Sequence, residues 1–171
     1  MSSSIKKIVD GLLFPTIDPI VGIPDYESIV DIHLKLNSNA ASVQSSFGRG
    51  TLGLLFLTFL PAVHATLSII AFVPPVNPGP KPRIPTGATV AEISDLRYNH
   101  AEDTNIFTEY KNTDKAVRQL LLASTEKLYV RSLRHTYIGY GKTNTRALLD
   151  HLYSTYANIS APALQDNNKR L

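Results

Sequence analysis

Residues 74–88 read Pro-Pro-Val-Asn-Pro-Gly-Pro-Lys-Pro-Arg-Ile-Pro-Thr-Gly-Ala, six prolines and two glycines in fifteen positions. Each proline fixes its own φ, lacks an amide hydrogen and turns the residue before it away from the helical region. Neither a helix interior nor a central strand accepts such a run, so it is expected as extended, polyproline-like chain. It divides the sequence into a group of elements at 25–73 and another at 89–171. Two uses fit it. One is a spacer between the groups. The other is a peptide held in a partner's aromatic groove, with Pro74, Pro75, Pro78, Pro80, Pro82 and Pro85 as the contacts.

Both groups carry helical periodicity and little strand-type alternation, which predicts an all-α, compact multi-helix domain. At 171 residues, 43% of them hydrophobic, the chain can bury a real core. Residues 1–24, punctuated by Gly11, Pro15, Pro19, Gly22 and Pro24, read as an extended N-terminal segment leading into a helical domain at 25–171. Asp25 after Pro24 suits an N-cap, with Tyr26, Ile29, Val30, His33 and Leu34 at helical spacing up to a frayed Asn37-Ser38-Asn39. Apolar helices are expected at 51–59 and 61–71, meeting at Pro61, and a long helix from Thr89 to near Lys111. Asn112-Thr113 would cap another, Lys127–His135 would form a further helix, and Thr143 would cap one over 145–157. Ser160 and Pro162 would start a short last helix. The segments 26–36, 51–71, 90–110 and 145–157 are expected to make the fold, with Tyr26, Phe107, Tyr137 and Tyr156 in its core.

Several chemistries lack their residues. Cysteine is absent, so no disulfide framework, thiolate metal site or cysteine nucleophile exists. His33, His64, His100, His135 and His151 show no metal-ligand spacing, and His33 and His100 fall on apolar faces as hydrogen-bonded core residues. Gly139-Tyr140-Gly141-Lys142-Thr143 ends like a phosphate loop, but Thr136 stands where that motif needs glycine. No catalytic, cofactor or metal residues are assigned, and no small-molecule substrate. Leu52 to Val73 runs 22 residues without a full charge, enough to span a bilayer. Pro61, His64, Thr58, Thr66 and Ser68 interrupt it, which favours buried helices over a membrane anchor. The N-terminus, broken by Asp10, Gly11 and Pro15, does not read as a signal peptide.

The charge is uneven. Net charge is only +3, yet residues 111–146 carry Lys111, Lys115, Arg118, Lys127, Arg131, Arg134, Lys142 and Arg146 against Asp114 and Glu126. Lys127, Arg131, Arg134 and His135, at i, i+4, i+7 and i+8, would share one helix face opposite Tyr129, Val130, Leu133 and Tyr137. With Lys142 and Arg146 they are the candidate contacts to nucleic acid or to an acidic neighbouring subunit.

Two segments carry a family likeness. Gly22-Ile23-Pro24-Asp25-Tyr26-Glu27-Ser28-Ile29, with His33 and Leu36, is one, and Thr145-Arg146-Ala147-Leu148-Leu149-Asp150-His151-Leu152 through Tyr156 is the other. They resemble the capsid-like region of the Gag polyprotein of copia-type long-terminal-repeat retrotransposons, over about residues 12–171. Ile29 and Leu149 stand where commoner members place tryptophan, of which this chain has none. The Cys/His zinc knuckle that usually follows in such Gags has no counterpart, since cysteine is absent. The resemblance implies a non-enzymatic, cytoplasmic structural protein without cofactors, a piece of Gag or a domesticated stand-alone one. It would self-associate into oligomers or virus-like particles that package RNA. The alternatives are a membrane-anchored protein with 52–73 as its span, or a host adaptor binding through the proline-rich segment.

Overall fold

A computed structural model describes residues 3–45, 52–59, 61–68 and 72–157. Five α-helices are present among them: α1 (Ser3–Asp10), α2 (Tyr26–Ser42), α3 (Pro61–Leu67), α4 (Val90–Ser124) and α5 (Thr145–Tyr156), with 3-10 turns at Leu55–Leu57 and Arg131–Leu133. No β-strand occurs among the described residues beyond one isolated bridge, His135 to Gly139. The class is all-α.

The core lies where α2, the C-terminal third of α4 and α5 meet. Ile29, Ile32 and Leu36 enter from α2, Val117, Leu120 and Leu121 from α4, and Leu148, Leu149 and Leu152 from α5. Their spacings of three, four and seven put each set on one helical face. The start of α2 follows from local chemistry: Asp25 Oδ1 accepts the Ser28 amide at 2.9 Å while Ser28 Oγ accepts the Asp25 amide at 3.0 Å. Its end does not. Instead of fraying at Asn37, α2 continues to Ser42. Asn39 is fully buried there, accepting the Phe14 amide at 2.7 Å and donating to the Phe14 carbonyl at 2.8 Å. A partner 25 residues away replaces the water that would fray an exposed asparagine end. The N-terminal segment is likewise not extended throughout. α1 buries Ile5, packs Ile8 and Val9 on the core and lies against α4.

The apolar run 52–73 is not one helix. Leu54 to Leu57 are buried through the 3-10 turn, and the short α3 follows from Pro61. Among the described residues no helix is long and apolar enough to cross a membrane. The run begins close against the end of α2, where the Leu54 amide donates to Ala40 O at 2.9 Å. Gly53 permits that approach: its φ is +52°, and a Cβ there would sit 2.3 Å from Ala41 O and 2.6 Å from Val43 O. Gly53→Ala is therefore expected to lower stability by about 2–4 kcal/mol through overpacking and left-handed strain. Gly79→Ala, with a similar φ of +75° but nothing within 4 Å, gives the strain alone in the same urea titration.

Thr89 and Glu92 form the second capping box, and from it α4 runs 35 residues, about 52 Å. The expected restart at Asn112-Thr113 does not occur. Thr113 and Asp114 lie inside one continuous helix and are buried. The half expected to build the fold, 90–110, is the half that leaves the core, with Val90 86% and Tyr98 67% exposed. The proline-rich segment returns along it. His100 Nε2 donates to Gly79 O at 3.1 Å, and the Phe72 and Tyr110 rings are 6.2 Å apart. The turn between them closes through Ala88 N to Pro85 O at 3.2 Å, with Gly87 at φ +83°. Together these form a projecting arm, rooted where Phe72 stacks on Phe56 at 4.0 Å. Of the six prolines, Pro75, Pro78 and Pro82 are half-buried while Pro74, Pro80 and Pro85 are exposed.

α5 starts from Asn144, not Thr143, with Asn144 Oδ1 accepting the Ala147 amide at 2.8 Å. Among the aromatic residues expected in the core, Phe107 and Tyr156 are half-buried, whereas Tyr26 and Tyr137 are exposed. The expected last helix at Ser160 and Pro162 lies outside the described residues.

Candidate nucleic-acid interface

Past Ser124 the chain does not form the expected helix over 127–135. It makes consecutive tight turns: Tyr129 N to Glu126 O at 3.0 Å, Leu133 N to Val130 O at 3.1 Å, Gly141 N to Ile138 O at 3.0 Å and Thr143 N to Tyr140 O at 3.1 Å. Between them His135 and Gly139 exchange both backbone hydrogen bonds, at 2.9 and 3.0 Å, with Gly139 at φ +57°. Glycine at that position closes the small loop without a Cβ penalty. The segment is anchored by the fully buried Val130, by Tyr140 Oη donating to Val130 O at 3.3 Å and by Thr143 Oγ1 donating to Leu133 O at 3.3 Å. Arg118 of α4 donates to the Thr143 carbonyl and ties it to the long helix.

A single helix face therefore does not carry Lys127, Arg131, Arg134 and His135. The turns nonetheless bring Lys127, Arg131 and Arg134 together around a groove of about 440 Å³, completed by Leu128 and Tyr140. From Lys127 to Leu149 the sequence holds no carboxylate. The ion pairs among the described residues lie elsewhere, Lys35–Asp31 and Arg118–Asp114. Among the described residues none of these three cations has a carboxylate within 4 Å, and like charges gathered at one groove reinforce its positive potential. His135 is exposed beside them, its Nδ1 accepting the Tyr137 amide at 3.2 Å, and Lys142 is exposed on the next turn. Arg146 does not join them. Its guanidinium donates to Phe59 O at 2.8 Å and lies 4.9 Å from the Phe56 ring centre, holding the 3-10 turn against α5.

Sequence reasoning misses Leu128, Tyr140 and Tyr137. Tyr137, expected in the core, is 90% exposed at the tip of the small loop. The pair Ile138-Gly139 is the available signal, because a glycine closing His-Thr-Tyr-Ile-Gly favours a turn over a continuing helix.

His33 and His64 sit deeper in the fold. His33 lies between Tyr153 Oη, 2.9 Å from Nδ1, and Thr58 O, 3.3 Å from Nε2. A carbonyl only accepts, so Nε2 carries the proton and Nδ1 accepts from Tyr153. Burial holds the His33 pKa below the ordinary histidine value, with the Thr58 carbonyl and the Asp150 charge opposing it. His64, packed among Phe56 and Phe72, is lowered by burial as well. The unfolded chain consequently takes up these protons first. Stability is expected to fall as pH drops through the ordinary value of 6.5, with the loss complete below the folded values. Urea midpoints across that range check this, and His33→Gln should flatten part of the slope.

Comparison with protein-family models, with curated proteins and with solved structures finds no match for this chain.

Proposed function

We propose that this chain is a non-enzymatic, Gag capsid-like assembly protein of the copia type, which self-associates in the cytoplasm around RNA. The observation that carries the reading is the cationic groove of Lys127, Arg131 and Arg134, which has no carboxylate in ion-pairing range among the described residues. Such a surface suits a phosphate backbone, which is bound electrostatically and without sequence readout. Two further features agree with assembly. The all-α body has its core completed by α2 and α5, the two segments that carry the family resemblance. The arm formed by 72–88 and the first half of α4 leaves apolar side chains such as Val76 and Val90 exposed away from that core. Repeated subunit contacts of this kind are individually weak and are multiplied by symmetry.

Light scattering coupled to size exclusion, with and without RNA and at low and high salt, tests the proposal. Large regular species that require RNA and dissolve with salt are the expected result. Arg131→Glu with Arg134→Glu should abolish them while leaving the helical circular dichroism intact, because both residues are exposed. Removing a single phosphate-binding cation should also reduce the salt slope of RNA binding by about 1. A strict monomer that ignores RNA overturns the reading.

A further inference from the structure

Beside the cationic groove stands a side chain that phosphate binding does not need. Tyr137 is 90% exposed, an unusual position for a large aromatic residue in a segment held by so many backbone hydrogen bonds. Its loop is closed by the paired hydrogen bonds of His135 and Gly139, and its own amide is held by His135 Nδ1. The ring is therefore presented on a fixed support rather than on free chain. The supports of that loop are continuous with the groove: Arg134 precedes His135, Tyr140 follows Gly139, and both line it. Tyr137 is three residues from Arg134 on one side and three from Tyr140 on the other, so its backbone stands within about 11 Å of the rim. The His135 ring lies 6.0 Å from the Tyr137 ring.

Fixed cations that follow a phosphate backbone, with an aromatic face beside them, are the pairing that recognises single-stranded nucleic acid. A duplex keeps its bases stacked inside and offers an aromatic side chain no free π-face, whereas an unpaired strand does. We infer that the 127–140 segment binds single-stranded RNA in preference to duplex, with Lys127, Arg131 and Arg134 on the phosphates and an unpaired base stacked on Tyr137. This rests on the nucleic-acid reading above and adds to it the form of the ligand and a residue for the base.

Fluorescence anisotropy on the full chain decides it, with a labelled uridine oligomer of about twelve nucleotides and a blunt RNA duplex of the same length. The oligomer should bind more tightly than the duplex at equal salt. Tyr137→Ala should weaken the oligomer about tenfold or more and leave the duplex unchanged, while Tyr137→Trp keeps the preference. The ring is exposed and alanine retains the amide bonded to His135, so the variant loses the stacking face without losing the loop. Combining Lys127→Glu, Arg131→Glu and Arg134→Glu should weaken both ligands. If Tyr137→Ala binds the oligomer like the parent chain while the triple variant binds nothing, binding is electrostatic alone. Stacking is then overturned and the nucleic-acid reading stands. A preference for duplex likewise overturns the inference. If the parent chain binds neither ligand at low salt, both readings fall.

Discussion

Asp114→Ala is expected to destabilise the protein by about 3–5 kcal/mol, the range for removing one partner of a buried charged network. Asp114 is 4% exposed, in the C-terminal half of α4. Its Oδ1 accepts the Thr145 amide at 3.0 Å and the Thr145 hydroxyl at 2.9 Å, and its Oδ2 lies 3.7 Å from Arg118 Nη1. One carboxylate thus fixes the first turn of α5 to α4 and balances the guanidinium that holds the basic turn segment. Alanine leaves the buried Thr145 amide without its acceptor and the half-buried Arg118 guanidinium, still bonded to the Thr143 carbonyl, without its counter-charge, and each loss carries a desolvation cost. Asp114→Asn keeps an acceptor for Thr145 and loses only the charge facing Arg118, so its loss should be smaller. Urea denaturation of both variants, with Thr145→Ala closing a double-mutant cycle, separates the two contributions. The exposed Lys35–Asp31 pair, 2.7 Å apart, is by contrast expected to contribute nothing measurable.

Leu121→Ala should cost about 3–5 kcal/mol, the range for removing a leucine side chain from a close-packed core. Leu121 is fully buried among the residues that join α2, α4 and α5. Leu96→Ala, on the same helix but 36% exposed beside the tip of the arm, should cost far less. The pair measures which half of α4 carries the fold. Equal losses would mean that the arm is an integral part of the core. A large loss at Leu121 alone would mean that the arm can be altered without unfolding the body, and it could then be probed freely as an assembly surface.

Much of this architecture is readable from short stretches of sequence. Asp25 and Thr89 announce the starts of α2 and α4, because a capping box needs only a side chain and an amide three residues apart. The prolines at 74–88 forbid helix by their own covalent geometry. The apolar stripe of α5 repeats at the helical period and is buried as that period requires. Two misread positions share one cause. Asn39 and Thr113 are polar residues that locally favour ends and caps, yet each is buried inside a helix. Asn39 is held by a partner 25 residues distant in sequence.

The candidate site follows the same division. Charge counting along the chain is enough to single out Lys127, Arg131 and Arg134, because a stretch without carboxylates is basic in any conformation. The sequence by itself determined the helical class, the capped starts, the proline divide and the sign of this surface, all of which depend on covalent geometry or on neighbours a few residues apart. Only the tertiary structure decided that α4 runs unbroken through Asn112-Thr113, that its first half projects, that Arg146 turns inward and that Tyr137 turns outward. The outward turn of Tyr137 follows from a loop closed by His135 and Gly139, four residues apart, whereas the others depend on contacts between residues far apart in sequence, whose energies outweigh the weak local preferences that a single stretch of chain expresses.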